Sequence, residues 1–423
     1  MSEIIHRGGW SVLFASVLVL MVALSAAAGT AAAQSAPDCS AVTYPGDGTE
    51  DNPYEVGDVD QLQCIEEQDL DAHYVQTDDI DASETSEWND GDGFEPISGS
   101  DDDEDVEFTG KFDGNGHTIT GLTIDREDEG GVGLFGRNLN EITDVGLEDV
   151  EITGDSGIGG LVGVNDEGAT VSESYATGDI TGDESVGGLV GTNFRGTVEG
   201  SYATGDVMGD SNVGGLVGFK VEGTVERSYA TGDVMGDDWV GGLVGLNNFG
   251  IIKDSYATGD IRGGSDIGGL VGNSAGTVEN SFATGDVTAT DGTAGGLVGV
   301  NDGTVEESYW DIETTGQDES DGGTGLTTSE MIGDNAPDNM DGFDFADTWE
   351  TVADPDDYPV LRWQDVDGSE ADEDDDVDRN GEELDERDTD GDDEAEGLPG
   401  FTVVAALLAL LTVVAATVRR STE

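Results

Sequence analysis

The sequence predicts an all-β fold in which about seven coils of 27 residues stack into a β-helix, or β-solenoid. First, the motif Gly-Gly-Leu-Val-Gly recurs at intervals of 28, 27, 27, 27 and 27 residues. Its copies begin at Gly159, Gly187, Gly214, Gly241, Gly268 and Gly295. Second, a companion motif, Ser-Tyr-Ala-Thr-Gly-Asp, follows the same period. Its copies begin at Ser174, Ser201, Ser228 and Ser255. Third, the units are rich in glycine and β-branched residues and lack the 3.6-residue apolar pattern of helices.

Each unit contains three short apolar runs, which we interpret as three strands separated by glycine-containing turns. In one unit these runs hold Leu189 and Val190, then Val198, then Val207. Coils of this kind stack about 4.8 Å apart, so seven of them make a rod about 34 Å long. Glycine at the signature positions allows close approach of neighbouring backbones. The Gly-Leu pairs of this signature are Gly160, Leu161, Gly188, Leu189, Gly215, Leu216, Gly242, Leu243, Gly269, Leu270, Gly296 and Leu297.

Two polar or aromatic columns should also run along the stack. Aromatic rings recur at one position and can stack along the axis, facing either inward or outward. These rings are Tyr175, Tyr202, Tyr229, Tyr256, Phe282 and Tyr309. Carboxylates recur at another position, where we expect each to accept backbone hydrogen bonds in a turn; a row of bound cations is the weaker alternative. These carboxylates are Asp179, Asp206, Asp233, Asp260 and Asp286.

The charge of the chain is extreme, with 95 acidic residues against 14 basic ones and a net charge of −81. Self-repulsion is strong in dilute salt, where the Debye length is about 30 Å, and is mostly screened near 1 M, where it is about 3 Å. This composition indicates a protein that works in molar salt. It also argues against nucleic-acid binding, which needs a basic surface.

The N-terminal end predicts secretion. Residues 1–33 contain Arg7, an apolar run and an Ala-rich exit, which is typical of a signal peptide; an uncleaved anchor is the alternative. Cys39 and Cys64 follow it, and outside the cell they can form a disulfide. Two unrelated thiols would be the other interpretation.

The C-terminal end predicts attachment to the membrane. Residues 365–397 read as an acidic, disordered stalk because they contain almost nothing apolar. Within it, Asp376, Asp378 and Asn380 are weak calcium-ligand candidates, since Arg387 occupies the position where a calcium loop requires Glu. No other cofactor is expected.

Residues 398–423 contain an apolar stretch from Phe401 to Val418, just long enough to span a bilayer as a single helix. Immediately before it, Pro399, Gly400 and Phe401 resemble the PGF-CTERM sorting signal of archaea. That resemblance implies cleavage by an archaeosortase and transfer to a lipid anchor. With either a lipid anchor or a retained helix, most of the chain lies on the outer face of the cell membrane.

The Gly-Leu-Val-Gly element resembles the GLUG repeat family of surface proteins. With the acidic composition and the sorting signal, it implies a surface protein of haloarchaeal type. The resemblance covers the repeats of residues 131–312. It implies an N-terminal cap at 34–130 and a C-terminal cap at 313–364, because an uncovered terminal coil would be an open sheet edge.

The chain contains no recognisable catalytic motif such as His-Glu-x-x-His or Gly-x-Ser-x-Gly. We therefore expect no enzyme activity, no catalytic residues and a surface protein that is adhesive or structural. Its expected partners are the membrane, a processing archaeosortase, and a polysaccharide, S-layer or surface-protein ligand whose binding residues the sequence does not assign. The alternative is a β-helix carbohydrate-active enzyme, either a polysaccharide lyase or a hydrolase, or a non-catalytic targeting module of one.

Overall fold

Short parallel strands stacked coil on coil make up most of the chain in the computed structural model, which describes residues 35–99, 106–290, 292–352 and 357–364. The predicted signal peptide, acidic stalk, calcium candidates and sorting signal lie outside these ranges. In the described ranges, no helix combines the length and apolar character needed to cross a membrane. Every described residue belongs to one compact unit.

Three parallel sheets form the sides of the solenoid, and each coil visits sheet A, then sheet B, then sheet C. Sheet A has seven strands, one for each complete coil, which confirms the predicted all-β solenoid of about seven coils. Its strands are Phe135–Asn138, Val162–Asn165, Val190–Phe194, Val217–Val221, Val244–Asn248, Val271–Ser274 and Val298–Asn301. Sheet B has ten strands. They are Tyr54–Val56, His73–Gln76, Lys111–Asp113, Glu141–Thr143, Thr170–Ser172, Thr197–Glu199, Thr224–Glu226, Ile251–Lys253, Thr277–Glu279 and Thr304–Glu306.

Sheet C contains nineteen strands, more than either of the other two sheets, and most of these strands are only two to four residues long. They are Ile80–Asp81, Thr118–Thr120, Thr123–Asp125, Gly146–Thr153, Ser156–Gly159, Tyr175–Thr181, Glu184–Gly187, Tyr202–Ala203, Val207–Met208, Ser211–Gly214, Tyr229–Ala230, Val234–Gly241, Tyr256–Ala257, Ile261–Gly268, Phe282–Ala283, Val287–Ala289, Ala294–Gly295, Tyr309–Asp311 and Thr324–Leu326. The strands are short because glycine turns interrupt them several times per coil.

Equivalent residues lie directly above one another. Val190 pairs with Val217 in sheet A, Val198 with Val225 in sheet B, and Tyr202 with Tyr229 in sheet C. The period of 27 residues therefore places each side chain on its own kind in the next coil. The aliphatic side chains that point into the solenoid are buried, and every signature leucine has no exposed surface.

The signature glycines are required by close backbone contact. A Cβ on Gly215 would lie 2.2 Å from the carbonyl oxygen of Gly242 and 2.9 Å from the Cβ of Ala230. Gly188 and Gly242 meet the same obstacle, at 2.3 and 2.2 Å from the carbonyl oxygen in the following coil. No real Cβ tolerates such distances to a fixed carbonyl, so only glycine fits here.

The segment assigned to the N-terminal cap continues the solenoid. Its strands extend sheets B and C, so it forms incomplete coils of irregular length ahead of the repeats. Two short helices, Val59–Gln63 and Ile65–Gln68, and three 3-10 turns, Cys39–Ala41, Ser83–Glu87 and Asn89–Gly91, complete it. Asp58 begins the first helix by accepting a hydrogen bond from the amide of Gln61 at 2.8 Å.

After the last coil the chain turns back along the outside of sheet C. We call residues 328–352 and 357–364 the strap. It contains the helices Thr328–Met331 and Ala336–Asn339, the 3-10 turn Gly333–Asn335, and the antiparallel pair Trp349–Glu350 and Val360–Leu361. Thr327 and Glu330 form a capping box that begins its first helix.

Candidate functional site

The aromatic column faces outward from sheet C. In the strand Tyr202–Ala203, Ala203 is fully buried in the solenoid core and Tyr202 is partly exposed. The rings from Tyr175 to Phe282 stack nearly parallel, with successive centroids 4.8, 4.8, 5.0 and 5.0 Å apart. We call these rings, together with Tyr309, the aromatic ladder. The solenoid thus carries a continuous apolar stripe on its outer surface.

The strap covers the C-terminal part of this ladder, from Tyr256 to Tyr309. Tyr256, Phe282 and Tyr309 are buried in a second hydrophobic cluster, separate from the solenoid core, together with strap residues such as Phe343 and Trp349. The Trp349 ring lies 5.6 Å from that of Phe282. This arrangement hides the C-terminal half of the apolar stripe from water.

Polar contacts fix the strap on the solenoid. The buried carboxylate of Asp311, in the last coil, accepts a hydrogen bond from the Tyr358 hydroxyl at 2.6 Å. Burial, and then this hydrogen bond, raise the pKa of Tyr358. Gln364 donates to the hydroxyl of Tyr256 at 2.9 Å, and burial raises the pKa of Tyr229 to about 12. The phenols of Tyr358 and Tyr229 therefore stay neutral at physiological pH.

A groove of about 730 Å³ opens where the strap ends beside the ladder. The solenoid contributes Tyr202, Arg227 and the carboxylates of Glu173 and Glu199 to its lining. The strap contributes Trp363, whose indole N–H donates to the carbonyl oxygen of Arg227 at 3.1 Å. The groove is therefore part aromatic and part polar, and its indole is held in one orientation.

The guanidinium groups beside the groove already have carboxylate partners. Arg227 pairs with Glu199. Arg362 lies 3.3 Å from Glu350 and donates to the carbonyl oxygen of Phe345 at 2.7 Å. The positive charges around the groove are therefore paired within the protein, while Glu173 and Asp347 add further carboxylates to its lining.

A second unusual feature lies inside the solenoid, where a polar ladder runs along sheet A. Asn138 donates to Asn165 at 2.9 Å, and Asn165 donates to Asn193 at 3.0 Å. Buried amides joined in this way satisfy one another and fix the register of the coils.

Lys220 takes the place of asparagine in this ladder and is completely buried. Its amino group donates to the carbonyl oxygens of Glu222 and Gly223, both at 2.9 Å, and to the side-chain oxygen of Asn247 at 3.2 Å. It occupies the space left by the missing side chain of Gly250, whose Cβ would lie 1.6 Å away. Burial lowers the pKa of Lys220 well below 10.5, although the three oxygen acceptors favour the charged form.

The aspartate column behaves as expected for turn residues. The carboxylate of Asp206 accepts the amide of Asp233 at 3.1 Å, and Asp233 accepts that of Asp260 at 3.0 Å. Asp260 likewise accepts the amide of Asp286 at 3.0 Å, so three of the five carboxylates bind the backbone of the next coil. Among the described residues, no group of three or more His, Cys, Asp or Glu side chains is arranged to hold a metal ion.

Cys39 and Cys64 are joined by a disulfide, with their Cα atoms 5.3 Å apart. It ties the first 3-10 turn to the end of the first helix.

The basic residues of the solenoid surface bridge coils: Arg195 contacts Glu167 at 3.3 Å and Glu222 at 2.8 Å, which lie in the coils on either side.

Sequence reasoning assigned residues 313–364 to a C-terminal cap and did not indicate that the strap within this segment lies along sheet C. It also missed the groove and the asparagine ladder. A signal for the ladder was present, because asparagines recur at the coil spacing, each three residues after a Leu-Val or Leu-Phe pair: Asn138, Asn165, Asn193 and Asn247. No comparable signal marked the groove, because Trp363 reaches Arg227 across 136 residues of sequence.

Comparison with known proteins agrees with this architecture. Residues 154–181, 182–208, 240–262 and 263–288 match the GLUG motif. A stretch of 128 residues, 29% of this chain, is 42% identical to part of Halomucin from Haloquadratum walsbyi (strain DSM 16790 / HBSQ001). The chain spans about 1% of the length of that relative.

A solved structure has a similar fold. It is a protein from Bacteroides ovatus described as a candidate immunoglobulin A1 protease, with a TM-score of 0.52 and 21% sequence identity. The similarity covers 75% of this chain and 95% of that one, and at this identity it concerns the fold alone. The motif matches therefore show that residues 154–208 and 240–288 of the solenoid are GLUG repeats.

Proposed function

We propose that this protein is a non-enzymatic cell-surface protein, adhesive or structural, that works at high salt on the outer face of the cell membrane. The observation that carries the proposal is the uniformity of the coils. Equivalent positions pair in register from coil to coil, and Asp206, Asp233 and Asp260 of the Asp column accept backbone amides of the next coil. A regular shaft offers extended surface for contact, whereas catalysis needs a few converging groups.

The composition and the matched relative support this role. A net charge of −81 suits a surface bathed in concentrated salt, and the similarity to part of Halomucin from a strain of Haloquadratum walsbyi is in keeping with such a setting. Attachment through the segment 398–423, by a lipid after archaeosortase cleavage or by a retained helix, belongs to the same proposal. Its partners on the cell surface are a polysaccharide, the S-layer or another surface protein.

A deletion strain tests the role. Cells that lack the protein should attach or aggregate less, or should lose envelope integrity, and expression of the intact chain should restore the lost property. Unchanged attachment, aggregation and envelope integrity would contradict the proposal. Release of product from polysaccharide or protein substrates by the purified chain in high salt would show that it is an enzyme instead.

Mass spectrometry of the mature C-terminus tests the attachment. Lipid transfer predicts a chain that ends near Pro399, whereas a retained helix predicts a chain that continues through Arg420. A soluble mature chain that ends upstream and carries no lipid would refute both forms of attachment.

A further inference from the structure

The groove beside the strap lies where the repeat is interrupted. In each coil, one residue in the left-handed region of backbone space turns the chain from sheet B into sheet C. This corner column consists of Asp144, Glu173, Gly200, Arg227, Asp254, Asn280 and Glu307. Gly200 is the single glycine among these seven corner residues. The groove opens at that position.

Packing does not require glycine at this corner. A Cβ on Gly200 would meet Glu173 Cγ at 3.8 Å, which is ordinary van der Waals contact. The coils on either side carry Glu173 and Arg227 in the same backbone conformation, with φ of 51° and 50°. Glycine relieves backbone strain at this φ of 57°, but the other six corners accept that strain and carry side chains. The missing side chain at Gly200 leaves space in the groove that Tyr202 also lines.

The strap brings an exposed indole to the same opening. Trp363 remains 41% exposed, although its ring lies 5.8 Å from that of Tyr229 and 6.2 Å from that of Tyr202. Its N–H is held by Arg227, so the ring orientation is set before any ligand arrives. A rigid aromatic surface of this kind loses little conformational entropy when it is covered.

The polar rim favours an uncharged ligand. The guanidinium groups of Arg227 and Arg362 are paired with Glu199 and Glu350. Glu173 and Asp347 also line the groove, so its rim is mildly acidic and does not favour a polyanion. In molar salt the Debye length is about 3 Å, which weakens attraction to polyanions or polycations. Hydrogen bonds to hydroxyl groups and apolar contact with an indole depend much less on salt.

We infer that this groove binds a neutral polysaccharide, with a sugar ring against Trp363 and the chain continuing through the gap at Gly200. A pyranose ring has an apolar C–H face for the indole and hydroxyl groups for the carboxylate and guanidinium rim. The groove of about 730 Å³ lies within the usual range of 300 to 1,000 Å³ for ligand sites, which accommodates a short stretch of such a chain. The inference rests on the proposed surface role and names the ligand class for it.

The test uses the intact protein purified from cells and a panel of neutral polysaccharides (dextran, mannan and galactan) in about 3 M NaCl, where charge attraction is screened. Alginate and poly-lysine serve as the charged comparisons. The variant Gly200→Arg fills the gap with a side chain that the next coil already carries. Asn280→Arg is its matched control, because it places the same side chain in the same column in another coil.

We expect the wild type and Asn280→Arg to bind at least one neutral polysaccharide. Gly200→Arg and Trp363→Ala should bind the same polysaccharide with an affinity at least about tenfold lower. Equal binding by Gly200→Arg and the wild type would overturn the inference. So would binding of alginate or poly-lysine alone, or of no member of the panel. If the deletion strain has an attachment defect that Gly200→Arg restores fully, the surface role stands and only the groove assignment fails.

Discussion

Polar side chains inside the solenoid are stable where each polar atom meets a partner in a neighbouring coil. The asparagine ladder achieves this with amides, and Lys220 achieves it with three oxygen acceptors. The cost of burying its charge remains, because no carboxylate lies within 4.0 Å of it in the described part of the chain. Lys220 should therefore make stability depend on pH.

Because burial lowers the pKa of Lys220 in the folded state, the unfolded state binds protons more strongly between the lowered value and 10.5. The free energy of unfolding should then rise with pH across that window, by about 1.4 kcal/mol for each unit of separation that is crossed. Lys220→Asn should remove this slope. Urea unfolding between pH 6 and 9.5 measures it, below the titration of the tyrosines. Lys253→Asn, which alters a partly exposed lysine, should keep the wild-type slope; parallel profiles for Lys220→Asn and the wild type would contradict the prediction.

The signature glycines make a second prediction at this scale. Gly215→Ala places a Cβ against a fixed carbonyl and should lower the free energy of unfolding by about 2 to 3 kcal/mol. Gly168→Ala is the control: its φ is +85°, but nothing lies within 4 Å of its Cβ, so only backbone strain of about 1 to 2 kcal/mol applies. Denaturant unfolding in molar salt compares them. Equal losses would mean that coil contact is not the reason for the motif.

At the scale of elements, the strap and the aromatic ladder depend on each other. The ladder leaves an apolar stripe on the surface, and exposed stripes of this kind recruit other surfaces. The strap covers part of the stripe with Phe343 and Trp349 and leaves the part beside the groove open. The same element therefore buries one end of the ladder and helps to form a site at the other.

Trp349→Ala should loosen the strap while the coils stay folded. The indole is fully buried, and removal of such a side chain costs about 3 to 5 kcal/mol. Hydrogen exchange should show faster exchange of strap amides and unchanged protection in sheet A. Trp239→Ala, in sheet C, should leave strap exchange unchanged. Concerted loss of protection in strap and coils would show that they unfold as one unit.

The Cys39–Cys64 link closes a loop with a sequence separation of 25, worth about 3 kcal/mol in the chain-entropy account. The protein isolated from cells without reductant should contain no free thiol, and its mass should increase by about 2 Da on reduction. Cys39→Ser should lower the free energy of unfolding by that amount under oxidising conditions and have little effect in reductant. A free thiol in the native protein would contradict the link.

At the scale of the whole molecule, net charge decides the conditions under which the fold survives. Few basic residues are present, and those on the solenoid, such as Arg195, bridge acidic side chains of neighbouring coils. The remaining carboxylates repel one another along a stack whose coils lie about 4.8 Å apart. At neutral pH, screening over a few ångströms relieves this repulsion.

The free energy of unfolding should therefore fall steeply as NaCl is reduced from about 3 M to 0.1 M, where the Debye length grows to about 10 Å. Circular dichroism with urea titrations at each salt concentration measures it. Acidification toward pH 4 at low salt should recover part of the lost stability, because it neutralises repelling carboxylates. A transition midpoint that does not change with salt would show that paired charges, and not screening, hold the acidic surface together.

Repetition in the chain was enough to predict the solenoid, its coil length and the place of the Gly-Leu-Val ladders. The reason is physical: a constant period brings each residue beside its own equivalent, so local pattern and tertiary contact coincide at Leu216 or Gly215. The expectation for the aspartate column holds for Asp206, Asp233 and Asp260, which accept backbone amides.

Only the tertiary structure decided which way the tyrosines face, that Lys220 is buried, and that Trp363 returns to Tyr202 to form a groove. These features depend on contacts between segments without a common period. The strap contacts rings in five coils of the ladder, and no spacing in its own sequence records which rings it will meet. Such contacts arise from the shape and apolar area of the completed stack, which exists only after the coils have formed.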